Sequence, residues 1–565
     1  MPFDSRHNKL VEDGDQLFSK RQDLVSLWQE MALNFYPEMA DFTITRSLGD
    51  EFADHLTTSY PVIARRTLGD SLAALLRPVN LDSSSPGVWF GLDVETGSDK
   101  DISTESRRWL EWATLRQRKA MYTKAANFVR ATKEGDHCFA TFGQAPLTLE
   151  MNHMRNGLLY RCHHLRDVAW SENYSGEIDH IQRKWRPTAR QLADVFGGKV
   201  ADQVKTMLKE NPFTEIECRH IIIAAENYES RDSNGKKFKT PWVSVWLDIT
   251  NKHVMEEIPS HHKQYIIPRW VTIPASQYAS SPAVIAALPD ARLIQAMSLT
   301  LLEAGEKFAD PPMVATQEAI RSDINLFAGG MTWVDAEYDE KLGEALRPAY
   351  DVRGGTGLHS AMELRMDTQQ AIAKAFFLDS LSLPPAPTGD QMTAFEVGHR
   401  VSEWIRRAMP IFEPMEFEYN AALCEDTFEL MLRNGGFGPI NSIPNEIRGA
   451  EVKFKFESPL HEGSDRKKAQ RFIEAQSMLA NAAQIDDSSI YLLNAPKALR
   501  DALDGMGVPA EWTRSEGEIQ NIVRQRQQEQ ENMMLGGQVG EGAQALNQAA
   551  SAVKQFAEAD QVGRG

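Results

Sequence analysis

The sequence predicts an α+β fold, predominantly helical and built from more than one unit. Three observations point there. At 565 residues the chain is too long for one hydrophobic core, so about two to four structural units are expected. Between Cys138 and Ile267 apolar residues recur at strand-like intervals, as in Val243, Val245, Leu247 and Ile249. From Tyr265 to Val397 they gather instead into two long helix-like segments around a compact insert.

The totals narrow the class. Hydrophobic residues make up 42% and charged residues 25% of the chain, the balance of a soluble globular protein. No apolar run reaches the ~18 residues that span a bilayer, and the N-terminus lacks the apolar core of a signal peptide. A cytosolic protein is expected. Cys138, Cys162, Cys218 and Cys424 are widely spaced and read as reduced thiols, not a disulfide framework. His137, His163, His164 and His220 lie beside three of them, but without ligand pairs at short fixed spacing they are read as packing or hydrogen-bonding residues. The net charge of −18 disfavours tight binding to DNA phosphates, which needs clustered Lys and Arg. It suits a surface past which DNA slides.

Along the chain, the first ~40 residues read as a helix with Leu10, Leu17, Leu24, Leu27, Trp28 and Met31 on one stripe. A second helix fits Tyr60 to Leu76, a strand Val88 to Val94, and a helix about Ser103 to Lys133. Strands then fit Leu158 to Trp170, Ile178 to Trp185, Glu217 to Tyr228 and Trp242 to Ile249. One helix interrupts them, opened by a capping box at Thr188 and Gln191 and stopped at Gly197 and Gly198. Trp170, Trp185, Trp242 and Trp246 are expected in the core.

An extended connector, Ile273 to Pro282, leads into a long helix with Pro289 near its start. Leu293, Ile294, Met297, Leu299, Leu301 and Leu302 cover nearly all its circumference, and such a helix has to be buried on several sides. Packing between subunits is the economical reading; a large monomeric core is the other. Asp310, Pro311 and Pro312 stop it. The insert, Met313 to Arg353, reads as a small α/β unit: a helix from Gln317 to Leu326, a strand from Met331 to Val334, and an acidic turn. The second long helix runs from about Gly357 to Leu383, and each long helix spans about 40 Å. The insert is then a tip on a helical stalk. A third helical run, Met392 to Arg433, is bent at Pro410 and Pro414 and closed by Asn434, Gly435 and Gly436. Glu451 to Glu457 is a strand with Val452, Phe454 and Phe456 on one face, expected to complete the earlier sheet. Ser464 and Asp465 cap a helix containing Phe472, Ile473, Met478 and Leu479; shorter helices follow. The tail from Leu535 would be marginal alone.

Catalytic and cofactor signatures are lacking: no phosphate-binding Gly-rich loop, no dinucleotide fingerprint, no zinc-protease pair and no calcium loop. Gly69, Asp70, Ser71 and Leu72 spell an esterase signature, but Leu68, Leu72, Leu75 and Leu76 keep helical spacing through it, whereas that nucleophile follows a strand at a sharp turn. Catalytic, cofactor and metal residues are expected to be none, which shifts weight from enzyme to structural protein. A serine hydrolase using Ser71, a ring-forming or adaptor structural protein, and a DNA-binding enzyme are the alternatives.

Ser281, Pro282 and Ala283, with Ala287, Leu288, Pro289 and Asp290, stand ahead of the first long helix; Asp310, Pro311, Pro312 and Met313 close it. With the order of elements over nearly the whole chain, these residues give an arrangement that resembles the portal, or head-to-tail connector, proteins of short-tailed bacteriophages. The resemblance implies a ring subunit with wing (1–280), stem helix 1 (281–310), clip (311–353), stem helix 2 (354–383), channel loop (384–391), wing long helix and returning strand (392–456), crown (457–530) and C-terminal barrel helix (531–565). It implies a dodecameric ring at one capsid vertex, in contact with major capsid or scaffold protein, a terminase and a tail adaptor. Double-stranded DNA would pass through without sequence specificity, and no membrane or cofactor is involved. The virion would be its location, with assembly in the host cytoplasm. Arg365 and Lys374 would either form weak phosphate-guiding rings or make ordinary inter-subunit salt bridges. Thr388, Gly389, Asp390 and Gln391 would be a loop that moves against DNA, or a plain helix-breaking turn. Trp333, Glu337, Tyr338, Asp339 and Glu340 would meet the adaptor.

Overall fold

The computed structural model describes residues 2–47, 49–50, 53–78, 89–95, 103–152, 154–228, 239–309, 313–315, 346–348, 356–381, 415–456, 471–479 and 493–505, with short pieces from 508 to 529. The chain divides into two compact units. The first comprises Met1–Phe90, Arg116–Gly436 and Phe456–Gly463, and the second Gly91–Leu115, Phe437–Lys455 and Ser464–Gly565.

The first unit opens with two helices, α1 (Ser5–Lys20) and α2 (Gln22–Phe35), where one is predicted. The break is at Arg21, whose buried guanidinium donates to the carbonyls of Leu165 (3.0 Å), Val168 (2.6 Å) and Arg166. Drawing that side chain inward satisfies three carbonyls of a distant turn and takes the residue out of helical geometry. Helix α3 (Tyr60–Leu76) matches its predicted span, with Leu68, Leu72 and Leu76 buried. Strand β1 (Phe90–Glu95), from Gly91, and the first part of helix α4 (Thr104–Met121) belong to the second unit, and the end of α4, from Arg116, to the first. The predicted helix to Lys133 ends at Met121, and Asn127, at a left-handed φ of 55°, stands just before α5 (Phe128–Phe142). Helix α5 therefore carries Cys138, and strands start only after it.

The run Leu158–Trp170 is two strands in two sheets. Strands β2 (Leu147–Met151), β3 (Leu158–Cys162) and β9 (Tyr265–Ile266) form one antiparallel sheet. Strands β4 (Val168–Glu172), β5 (Ile178–Trp185), β6 (Cys218–Ala224), β7 (Trp242–Asp248) and β8 (His253–Ser260) form a five-stranded antiparallel sheet in sequence order. Strand β6, at its centre, is buried from Cys218 to Ile223 because both faces are covered. On one face Cys218 and Met255 pack with α6 (Ala189–Phe196) and α7 (Asp202–Glu210) through Leu192, Phe196 and Val204. On the other, Ile221, Val243, Val245 and Leu247 meet Leu10 of α1. Each fully buried aliphatic side chain there contributes about 1.5–3 kcal/mol. Gly14 lets α1 approach: a Cβ there would stand 1.9 Å from the Gln182 side chain. The capping box is present, with Thr188 accepting from the Gln191 amide. Of the four tryptophans, Trp170 is fully buried, while Trp185, Trp242 and Trp246 are half-buried.

After β10 (Val271–Thr272) and β11 (Ala279–Ser280), helix α8 spans Pro282–Ala309. Pro289 thus lies inside the helix, not at its start. One stretch of it, Pro282–Glu306, is long and apolar enough to cross a bilayer by length and composition, contrary to expectation, with a mean hydropathy of 1.3. Strands β12 (Met313–Ala315) and β13 (Leu346–Pro348) pair antiparallel, Val314 opposite Arg347, and join the two ends of the insert. The second long helix is two pieces, α9 (Thr356–Ala375) and α10 (Leu378–Leu381), because Phe377 has φ 57°. The chain returns at Met415 with a π-helix, Glu416–Ala421, and α11 (Ala422–Arg433), whose cap Asn434 donates from Nδ2 to the Leu430 carbonyl at 2.7 Å.

In the second unit, β14 (Glu451–Phe456) pairs with β1, not with the larger sheet as predicted. Its pattern is as expected, with Val452, Phe454 and Phe456 on the half-buried side. Phe437 sits between Trp109 and Trp112, ring centroids 6.2 and 6.4 Å away. Helix α12 (Ala495–Gly505) and helical pieces at 471–479 and 521–529 follow. The insert's helix and strand, the bends at Pro410 and Pro414, the cap at Ser464 and the tail lie outside the described residues.

Candidate functional site

The candidate site is the pair α8 and α9 with the two points where the segment between them and α11 is anchored. Ser281 caps α8: its Oγ accepts from the Val284 amide at 3.3 Å and donates to the Ala140 carbonyl at 2.7 Å. Pro282 follows at the first helical position, where its missing N–H costs nothing. Gly143 ends α5 at φ 74°, and a Cβ there would lie 2.1 Å from the Ser280 carbonyl carbon, so only glycine lets the α8 start close on α5.

The first half of α8 is rooted in the unit's core through Ala283, Val284, Ala287, Leu288, Ala291 and Ile294. Polar grips surround that root. Arg292 Nε donates to Glu30 at 2.6 Å, and the Gln295 side chain accepts from the Thr57 amide at 2.8 Å and donates to the Thr58 carbonyl at 3.0 Å. Helix α9 is rooted at its opposite end, where Ile372 and Phe376 are buried and the Phe376 ring lies 5.4 Å from Phe35. The helices pack side by side along this length. At 1.5 Å per residue they extend about 42 and 30 Å.

Away from the root the same helices expose apolar side chains. Leu299 is 47% exposed, Leu302 61%, Met362 52%, Leu364 52% and Met366 61%. Met362 and Met366 lie within about 40° of each other around α9, with Leu364 on the other side, so exposed apolar residues occur on more than one face of the helix. Within one chain α8 buries one face of its root, while Ile285 and Leu293 in that same stretch are each 45% exposed.

Of the charged candidates, Arg365 is half-buried and Lys374 exposed. They are nine residues apart, which at 100° per residue places them on opposite faces of α9, so the helix does not bring them together. Thr388, Gly389, Asp390 and Gln391, and Trp333, Glu337, Tyr338, Asp339 and Glu340, lie outside the described residues. The chain that returns from the candidate loop is fixed at the π-helix. Asn420 Oδ1 accepts from Arg77 at 2.9 Å, Arg77 pairs with the buried Asp136, and Tyr419 donates to the Thr132 carbonyl at 3.4 Å. Burial pushes the Asp136 carboxyl up against the pull of Arg77; burial is also the largest single influence on the Arg77 guanidinium and pulls it down, but the charge and hydrogen bond of Asp136 together with Tyr419 and Tyr122 raise it overall. Glu418 accepts from the Arg269 amide at 2.8 Å. Sequence reasoning overlooked these anchors. Ser before Pro at the head of an apolar run was the one readable signal, a helix cap.

Ser71 lies inside α3, its hydroxyl donating to the Thr67 carbonyl at 2.7 Å, so it is not on a nucleophile turn and the hydrolase alternative has no site. Among the described residues no three or more His, Cys, Asp and Glu gather as metal ligands. The four singled-out histidines have protein partners: His137 meets Arg65, His163 Thr148, His164 Asp41, and His220 both Tyr265 and Ser244.

Comparison with known proteins adds a direct finding. A family model described as bacteriophage head to tail connecting protein matches residues 8–513. The chain is 23% identical over 548 residues to the probable portal protein of Bordetella phage BPP-1, covering 94% of this chain and 93% of the relative. It is 22% identical over 380 residues to the portal protein of Salmonella phage epsilon15, covering 66% of each. A chain from the virion of a native gene transfer agent particle aligns over 79% of this chain and 90% of its own length at 11% identity, with a TM-score of 0.34.

Proposed function

The chain belongs to the bacteriophage head to tail connecting protein family, and from that premise we propose that it is a portal subunit: copies form an oligomeric ring at one capsid vertex, a structural component of the virion and not an enzyme. The observation that carries this reading is a family match running through both compact units, with a portal relative of nearly equal extent. The exposed apolar side chains of α8 and α9 support it, because a ring supplies each copy with neighbours that cover them.

The finer assignments are proposals in the same frame. The ring is dodecameric, assembled in the host cytoplasm with capsid or scaffold protein. A terminase docks on it during packaging, and a tail adaptor docks on the clip, 311–353. Residues 1–280 with 392–456 are the wing, 281–310 and 354–383 the stem, 457–530 the crown and 531–565 the barrel helix. The pairing of β12 with β13 supports a clip that leaves and rejoins the stem at one place. Double-stranded DNA passes through the channel, with 384–391 as the loop nearest it. Arg365 and Lys374 are the stem cations proposed to meet phosphates, and the exposure of Lys374 supports its part in this. Electron microscopy of the purified protein tests the core of this reading: rings with a central channel are expected, and a monomer at all concentrations and salts overturns it. Deleting 316–345 should leave rings and abolish adaptor binding; unchanged binding removes the clip assignment.

A further inference from the structure

On the first unit, apart from α8 and α9, lies a groove of about 400 Å³. Its floor is apolar, with Leu158 and Met431 buried and Met151 half-buried. Its rim carries Arg116 and Lys119 from the end of α4 and Arg155 from the β2–β3 turn, and among the described residues no carboxylate lines it. That is unusual in a chain where 79 acidic residues outnumber 61 basic ones. Arg116 is partly committed, its Nε donating to the Gly436 carbonyl at 3.1 Å just past α11. Lys119 and Arg155 are exposed, and among the described residues neither side chain has a hydrogen-bonding or ionic partner. Arg155 is nonetheless held in place: its backbone takes φ 54°, its amide donates to the Asn152 carbonyl at 2.8 Å, and Asn152 and Asn156 bond side chain to side chain at 2.6 Å.

We propose that this groove docks an acidic segment of the neighbouring copy of the chain, one that carries an apolar side chain beside its carboxylates. This rests on the ring reading. Subunits in a ring meet head to tail, so each patch faces a different patch on the next copy. A basic groove with no internal counter-charge is matched by an acidic face, and a chain of net charge −18 supplies such faces in excess. The half-buried Met151 beside these cations offers an apolar contact that a carboxylate-bearing peptide segment can match with an apolar side chain of its own.

The test uses the full chain. Rings are assembled from ¹⁵N-labelled and unlabelled copies, treated with a zero-length carbodiimide, and digested for mass spectrometry. Lys119 is expected in links to Asp or Glu of the other isotope. The double variant Lys119→Glu with Arg155→Glu is expected to raise the concentration needed for ring formation about tenfold or more, and Lys119→Gln with Arg155→Gln by less. The melting temperature of the unassembled chain should not move, since both side chains are exposed. Lys119 links confined to one chain, or normal assembly by the charge-reversed variant, overturn the proposal. Normal assembly with loss of binding to a short DNA duplex used as probe assigns the groove to nucleic acid and equally overturns it. Wild-type protein that stays monomeric removes the ring reading itself, and the proposal with it.

Discussion

Arg77 and Asp136 are 59 residues apart in sequence and meet in the core, each under about a twentieth exposed, with Asn420 and the Tyr419 ring completing the shell. Nothing in either residue type announces this, because ordinary arginines and aspartates look the same in a sequence. Removing one partner strands a charge in low dielectric, so Arg77→Met is expected to lose about 3–5 kcal/mol in chemical denaturation. Arg77→Met with Asp136→Leu should recover much of that; a double variant as unstable as the single would show that packing, not charge, dominates. Asp426 offers a pH readout. Burial pushes its carboxyl up to about 7, Lys263 opposing and Glu429 and Glu425 reinforcing. With the folded value above the ordinary 3.8, its contribution is present at low pH and lost as pH rises through about 7. Burial moves His163 and His220 the other way, below 6.5, so their contribution is steady above that pH and lost only below it. Stability tied to Asp426 is lost between its ordinary value and about 7, with the last part of that loss between about pH 6.5 and 8, where comparison with a variant lacking the carboxyl reads it. Wild type is expected to lose stability across that window and Asp426→Asn to lose less, measured by urea midpoints; parallel curves would place the group near its ordinary value.

At the scale of elements, legibility followed the range of the interaction that sets each boundary. Helix α3, strand β5 and the α6 capping box were readable because their signals lie within a few residues. The break at Arg21 was not, since its cause is a set of carbonyls at 165–168, and neither was the partner of β14, since alternation names a face and not a neighbour. For the site, the apolar texture of α8 was legible but its division was not: root residues such as Ile294 are buried in the subunit, and Leu299 and Leu302 are not. That division separates folding from assembly. Ile294→Ala is expected to destabilise the single chain by about 2–5 kcal/mol. Leu299→Glu with Leu302→Glu should leave helical content and melting of the unassembled chain unchanged while blocking rings, followed by circular dichroism and sedimentation. Normal rings from the charged variant would mean that these side chains face water in the assembly.

For the whole molecule, composition and architecture bear on the same point. The sequence could say that the chain is acidic and without catalytic motifs, and the order of its elements pointed to a connector, but only the long-range family match turns that into membership. Its charge then constrains what a ring of it can do with DNA. Each copy brings −18, and the sum repels a polyanion at any distance within the Debye length. Proteins that grip DNA tighten as salt falls, because bound phosphates release counterions. A ring whose summed charge repels the duplex should not tighten as salt falls. At ~10 mM salt the Debye length reaches about 30 Å and the field of the whole ring acts on the duplex. Fluorescence anisotropy of a labelled blunt duplex is therefore expected to show no binding to assembled rings at ~150 mM salt, and none on lowering the salt to ~10 mM. Binding that strengthens as salt falls would show that local cations such as Lys374 outweigh the net charge, and that the channel holds DNA instead of letting it pass.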